Sequence, residues 1–235
     1  MPQKIPCEVV ALDDHDERVY SLTLRLDSRA PRFAAGQFLH LALDDYKPGD
    51  FWPESRVFSI ASAPTQRDLL RITYAVKGKF TERMESELRL GARVWVKLPY
   101  GEFIVNPESD ACLLAGGTGV TAFTAFVDGL PPEQEHQIFL FYGARRSDLL
   151  IYRPLADEAL RRCPNFHATY FAEESAAGTD CISGRVDLNR VWSSIPNPLA
   201  TDYYLAGPPQ MIRALSDGLR QRGAPAERIL IDAWE

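Results

Sequence analysis

The chain of 235 residues is long enough to bury one large core or two modest ones, and at 46% apolar and 25% charged residues it reads as globular, not disordered. A formal net charge of −6 argues against nucleic acid or an anionic membrane surface as a partner, and no stretch approaches the ~18 apolar residues of a spanning helix, so no membrane insertion is expected. Cys7, Cys112, Cys163 and Cys181 form no C-x-x-C pair and no cluster, and the N-terminal MPQKIPCEVV lacks a long apolar core; free thiols, no metal centre and a cytoplasmic setting are the expectation.

Residues 1–105 read as β-rich. CEVVALD, YSLTLRL, QFLHLAL, RVFSIAS, LLRITYAV and ARVWVKL are short runs of aliphatic and aromatic residues, several alternating with period two, separated by polar, Gly or Pro segments. Six strands of this length suit a small antiparallel β-barrel or sandwich. The loop DDYKPGDFWPES carries Phe51 and Trp52, which either cover something or sit on a mobile tip. At the start of the fourth strand, Arg56 offers a planar cation for a phosphate, Phe58 a flat apolar face and Ser59 a hydroxyl beside it. The alternative is an edge-strand arginine beside a core phenylalanine. Farther on, Lys77-Gly78-Lys79-Phe80-Thr81 precedes a helical stretch at 82–90. Gly78 frees the backbone, and Thr81 either caps the helix or helps it hold a phosphate.

NPESD, residues 106–110, marks a domain boundary, after which strands and helices alternate. Strands are expected at 111–115, 138–142, 166–171, 202–206 and 228–231, and helices around 122–130, 151–162, 186–195 and 209–222. Residues 106–235 therefore predict a Rossmann-like α/β domain with a five-stranded parallel sheet and ligands at the strands' carboxyl ends. The run LLAGGTGVTAFTAF is a buried strand entering a glycine turn and then a helix. Gly117-Thr118-Gly119-Val120-Thr121-Ala122 fits G-x-G-x-x-G/A, whose glycines let backbone N–H groups approach a pyrophosphate. Taken alone, it is equally a βα turn that binds nothing.

The order of these pieces resembles the ferredoxin–NADP reductase-like flavoproteins over essentially the whole chain. Arg56-Val57-Phe58-Ser59 is similar to that family's Arg-x-Tyr/Phe-Ser, Gly78-Lys79-Phe80-Thr81 to Gly-x-x-Ser/Thr, and PYGEF to Pro-x-Gly-x-Phe near the domain junction. AGGTGVTAF resembles Gly-Gly-Thr-Gly-x-Thr-Pro, with Ala122 where proline is usual. YGARRSDLL, with Gly143, Arg145 and Arg146, resembles the segment bordering the nicotinamide nucleotide. Gly207, Pro208 and Met211 fall in a Cys-Gly-Pro-Pro-x-Met pattern in which Ala206 replaces the cysteine. The ending Asp232-Ala233-Trp234 is similar to an acidic-x-aromatic terminus.

The resemblance implies that Arg56 binds flavin phosphate, that Phe58 packs on the isoalloxazine, and that Ser59 faces its reactive edge. Gly78, Phe80 and Thr81 would hold pyrophosphate, while Gly117, Thr118, Gly119 and Thr121 receive the nicotinamide nucleotide. Asp232 would lie near the flavin edge, and Trp234 would cover the ring as a gate. The implied chemistry is hydride transfer from NADH or NADPH to FAD, with FMN as the second choice, and onward electron flow to a separate ferredoxin, flavodoxin or oxygenase component. Glu173 and Glu174 after the third parallel strand lean towards NADH, because carboxylates disfavour a 2′-phosphate, whereas Arg145 and Arg146 lean towards NADPH. The competing readings are a reductase of free flavin and a non-catalytic flavin or nucleotide module.

Overall fold

The computed structural model describes residues 2–174, 178 and 180–232. The chain divides into two compact units, Met1–Ile104 and Val105–Glu235.

The first unit is one antiparallel sheet of β1 (Gln3–Asp14), β2 (Val19–Leu26), β3 (Phe38–Ala42), β4 (Ser55–Ser59), β5 (Leu69–Ala75) and β6 (Arg93–Tyr100), with α1 (Lys79–Glu87) between the last two. Its order β4-β3-β6-β1-β2-β5 leaves β4 and β5 as edges. Just beyond β4 the ring is almost closed: Ala61 N–H donates to Arg71 O (2.8 Å), and Arg71 N–H donates to Ser62 Oγ (3.1 Å). The period-two alternation seen in the sequence sends Ile5, Cys7 and Val9 of β1, Leu22 and Leu24 of β2, and Leu70, Ile72 and Tyr74 of β5 into one core. Each fully buried aliphatic side chain there contributes about 1.5–3 kcal/mol, so the alternation alone fixes which face turns inward.

Helix α1 starts three residues before its expected position, because Gly78 (φ 80°, ψ 178°) is itself the N-cap. Thr81 therefore lies inside the first turn, not at its start. Its hydroxyl reaches back, accepting from Lys77 N–H (2.6 Å) and donating to Gly78 O (3.1 Å). In the loop before β4, Phe51 is fully exposed, whereas Trp52 is half-buried against Tyr46 and donates to Ser55 Oγ at 3.0 Å.

The second unit is a parallel sheet in the order β10-β9-β8-β7-β11-β12. Its elements are β7 (Ala111–Gly116), α2 (Thr121–Asp128), β8 (Ile138–Arg146), α3 (Arg153–Arg162), β9 (Phe166–Glu174), β10 (Ile182–Ser183), α4 (Leu188–Ser194), β11 (Asp202–Ala206), α5 (Pro209–Gln221) and β12 (Ile229–Ile231). The sheet has six strands where five were expected. The extra strand, β10, pairs Ile182 with Phe171 and Ser183 with Ala172. Two residues carry no periodicity, so pattern alone cannot find such a strand. Strands β8 and β9 also run on past their apolar runs to Arg146 and Glu174, where ladder pairing continues through polar residues. The central strands are buried on both faces, as every residue of β7 is, which is why they read as continuous apolar runs. From β7 the chain winds to one side through β8 and β9, then returns to the other side through β11. The switch point thus falls between the carboxyl ends of β7 and β11.

Among the described residues no helix is long and apolar enough to cross a membrane. Three of the four reduced cysteines are buried, and burial pushes the Cys7 thiol up to about 12 and the Cys112 thiol well above its usual value. The thiolate is the reactive form, so native protein should consume one equivalent of an aromatic disulfide reagent quickly, at half-buried Cys181. Cys181→Ser should abolish that phase; a fast phase surviving in the variant would show that a buried thiol is reached.

Candidate functional site

Two clusters of chemistry-bearing residues emerge, one in each unit. In the first, alternation along β4 places Arg56 and Phe58 on one face and Val57 on the other, with Val57 opposite His40, Phe58 opposite Leu39 and Ser59 opposite Phe38. The Arg56 guanidinium carbon lies 5.3 Å from the centre of the Phe80 ring, so the sheet and the start of α1 meet at this arginine. Phe80 itself is only 3% exposed and serves as a wall, leaving its backbone as the part that can meet a ligand. Arg56 also pairs with Glu54 at 3.4 Å, but both side chains are more than half exposed, which makes that pair weak and exchangeable.

No side chain caps α1. Its first N–H groups carry the positive end of the helix dipole, and a Cβ built on Gly78 would meet nothing within 4 Å, so this corner opens outward. The Thr81 hydroxyl is committed to the Lys77–Gly78 turn and shapes the loop; an anion here would be held by backbone N–H groups and by Arg56. One orphan stands beside this cluster. The Tyr74 hydroxyl is buried and has no hydrogen-bond partner, a condition that costs about 1–3 kcal/mol. Its ring is 6.0 Å from Phe58, centre to centre. A cation, an open helix start and a half-buried aromatic face fit a phosphate-bearing ring cofactor.

In the second unit the glycines divide by role. A Cβ on Gly119 would lie 2.5 Å from Gly207 N and 2.6 Å from Ala206 C and O; one on Gly116 would lie 2.6 Å from Met211 Sδ and 2.8 Å from Pro208 Cδ. In return, a Cβ on Gly207, whose φ is +144°, would lie 2.9 Å from Gly116 N and O. These three glycines, with Pro208 and Met211, let the turn after β7 press against the turn after β11. Gly117 differs: its φ of +54° needs glycine, yet a Cβ there would meet nothing within 4 Å. It is the position that faces open space at the switch point. Thr118 shares its 3-10 turn, and Thr121 Oγ1 donates to Thr118 O at 2.8 Å, which locks the turn onto α2.

Gly143 continues β8 beside Val186, whose Cγ2 would be 2.9 Å from an added Cβ. Beyond it the carboxyl ends of β8 and β9 are laced by ion pairs. Arg145 Nε donates to Glu174 (3.3 Å), Arg146 Nε to Asp148 (3.0 Å), and Arg185 Nε to Glu173 (3.0 Å). Hydrogen bonding to Arg146 holds the Asp148 carboxyl below its usual range. Arg185 was missed in the sequence because it follows the two-residue strand β10. Asp232 is half-buried just past β12, and its N–H donates to Leu205 O at 2.9 Å. Trp234 lies outside the described residues. Among the described residues, no group of three or more His, Cys, Asp or Glu side chains is placed to hold a metal ion.

Residues 113–217 match the family model of an oxidoreductase NAD-binding domain. The chain is 27% identical over 241 residues to the NAD(P)H-flavin reductase of Vibrio harveyi, covering 98% of both proteins. It is 33% identical over 163 residues to the reductase component DmpP of phenol 2-monooxygenase from Pseudomonas sp. (strain CF600), covering 67% of this chain and 44% of that one. The chain thus spans about half the length of the oxygenase reductase components it matches. Among solved structures, the Amycolatopsis cytochrome P450 reductase GcoB superposes with a TM-score of 0.84 at 20% identity, covering 99% of this chain and 70% of that one, a likeness of fold.

Proposed function

We propose that the chain is an NAD(P)H-dependent flavoprotein reductase of the ferredoxin–NADP reductase-like kind, with a resident FAD in its first unit and a nicotinamide nucleotide visiting its second. The observation that carries this reading is the pair of open, N–H-bearing corners on separate units: Arg56 with the uncapped start of α1, and Gly117 at the switch point. Arg56 neutralises flavin phosphate, Phe58 offers the isoalloxazine an apolar face, and Ser59 supplies a hydroxyl. Gly117, Thr118 and the N–H groups opening α2 receive the nucleotide pyrophosphate. When bound, the flavin would supply hydride and electron transfer between the nicotinamide nucleotide and a separate ferredoxin, flavodoxin or oxygenase component in the cytoplasm.

NADH is the donor this reading favours. Glu174 and Glu173, beside Arg145 and Arg185, set two carboxylates where a 2′-phosphate would be repelled, whereas a ribose hydroxyl finds an acceptor in either. Anaerobic mixing of the as-purified protein with each nucleotide tests both claims. A flavin spectrum bleaching near ~450 nm faster with NADH than with NADPH is expected, since reduced flavin loses that band. Bound flavin that neither nucleotide bleaches would refute the reductase assignment.

A second reading, reduction of free flavin as substrate, draws on the Vibrio harveyi relative, which matches end to end. Flavin retained through gel filtration speaks for the resident cofactor; flavin lost there but reduced in turnover speaks for the substrate.

A further inference from the structure

Among the described residues, three other than glycine have a left-handed backbone, and they are consecutive: Asp16 (φ 66°), Glu17 (φ 49°) and Arg18 (φ 59°). They form the tip of the hairpin between β1 and β2, closed by His15 N–H to Val19 O and Val19 N–H to Asp16 O, both 2.9 Å. Glycine, and now and then Asp or Asn, takes this conformation readily, so a run that ends in glutamate and arginine is disfavoured in itself. Such a backbone persists where its surroundings hold it, and it clusters where a site needs the geometry.

Arg18 is where the surroundings take hold. Its carbonyl accepts from Val76 N–H at 2.9 Å, one step past the last pair of the β2–β5 ladder, Val19–Ala75. Its guanidinium is bidentate on Glu85: Nε donates to Oε1 and Oε2 at 3.0 and 3.2 Å, and Nη2 donates to Oε2. The Tyr20 hydroxyl adds a further donor, to Glu85 Oε1 at 3.1 Å. Glu85 sits in the last turn of α1, where the helix dipole disfavours a carboxylate, so its charge is of use there only through these partners. Val76 comes two residues before Gly78, the N-cap of the same helix. One residue therefore grips both the entry to α1 and its far end.

The corner between those two grips is the one that opens towards a ligand. Phe80 and Met84 seat α1 on the core, but a Cβ on Gly78 would meet nothing within 4 Å, so the corner itself is placed by its flanks. We propose that Arg18 is a positioning residue for flavin binding, a role that rests on the flavin reading above. By holding Val76 and Glu85 it fixes α1 so that the N–H groups following Gly78 converge with Arg56 on the flavin phosphate. The left-handed hairpin tip is the backbone geometry that lets Arg18 reach both points.

Arg18→Ala keeps a Cβ at the left-handed position, so the backbone strain is unchanged and only the grip on Glu85 is lost. In titrations of cofactor-free protein its FAD dissociation constant should rise about three- to fivefold, the worth of a well-formed exposed ion pair. Glu85→Ala should give the same rise, and the double variant no more than either alone. Riboflavin has the ring but no phosphate, and its affinity should be the same for the parent and Arg18→Ala. Arg18→Lys should recover part of the FAD affinity, keeping the charge without the bidentate fork. An unchanged FAD constant, or losses that add in the double variant, would overturn the proposal. So would an equal loss for riboflavin, which marks a general loosening of the barrel. A parent that takes up neither flavin defeats the flavin reading instead, so the two failures are distinguishable.

Discussion

Gly119→Ala should destabilise the second unit by about 3 kcal/mol, at the upper end of overpacking effects, while Gly117→Ala, two residues away, should cost only about 1 kcal/mol. The difference comes from what each methyl meets. At Gly119 it would sit 2.5–2.6 Å from backbone atoms of Ala206 and Gly207. Those atoms cannot step aside, because β7 and β11 are adjacent strands held in register by pairs such as Leu114–Leu205 and Ala115–Ala206. At Gly117 the methyl enters open space, and only the left-handed φ of +54° is penalised. Nucleotide binding should reverse the ranking of interest: Gly117→Ala inserts a methyl into the opening proposed for the pyrophosphate, and NADH affinity should fall about tenfold, a loss the size of one good hydrogen bond. Urea unfolding and NADH titration of the two variants check this. If Gly119→Ala unfolds at the parental midpoint, the two turns do not press together as described. If Gly117→Ala binds NADH normally, the pyrophosphate lies elsewhere.

Removing the Arg56 guanidinium should weaken FAD binding by about 10- to 100-fold, since hydrogen bonds to a charged partner are worth about 1.5–3 kcal/mol. The same change should leave the cofactor-free fold within about 0.5 kcal/mol of the parent, because surface substitutions away from packed features usually do. Arg56 meets that condition: its side chain is 53% exposed and its ion pair with Glu54 is a loose surface contact. Arg56→Lys should recover part of the affinity, retaining the charge without the planar fork that grips two oxygens at once. Measuring the FAD dissociation constant and the cofactor-free melting temperature for both variants separates binding from folding. Parental FAD affinity in Arg56→Ala would remove this arginine from the cofactor site and with it the main cation of the first cluster.

The sequence by itself determined the sequence of elements and the faces they bury. Alternation in β1, β2 and β5 and the continuous apolar runs of β7 and β8 follow from side-chain period and burial, which are local properties. Ser59, Arg56 and the glycine turn at 117–119 could be singled out because each stands in a short motif whose chemistry is carried by consecutive residues. Tertiary structure alone decided what depends on distant backbone. The glycines at 116 and 119 are required by the turn at 207, some ninety residues later, and of the three glycines in that turn Gly117 is the one that opens onto free space. The strand β10 exists because β9 lends it an edge, and Arg185, which follows it, reaches Glu173 for the same reason. The hydroxyl of Tyr74 looked like any strand tyrosine until its neighbours were known: being unpaired is a property of the surroundings, and no local pattern encodes it.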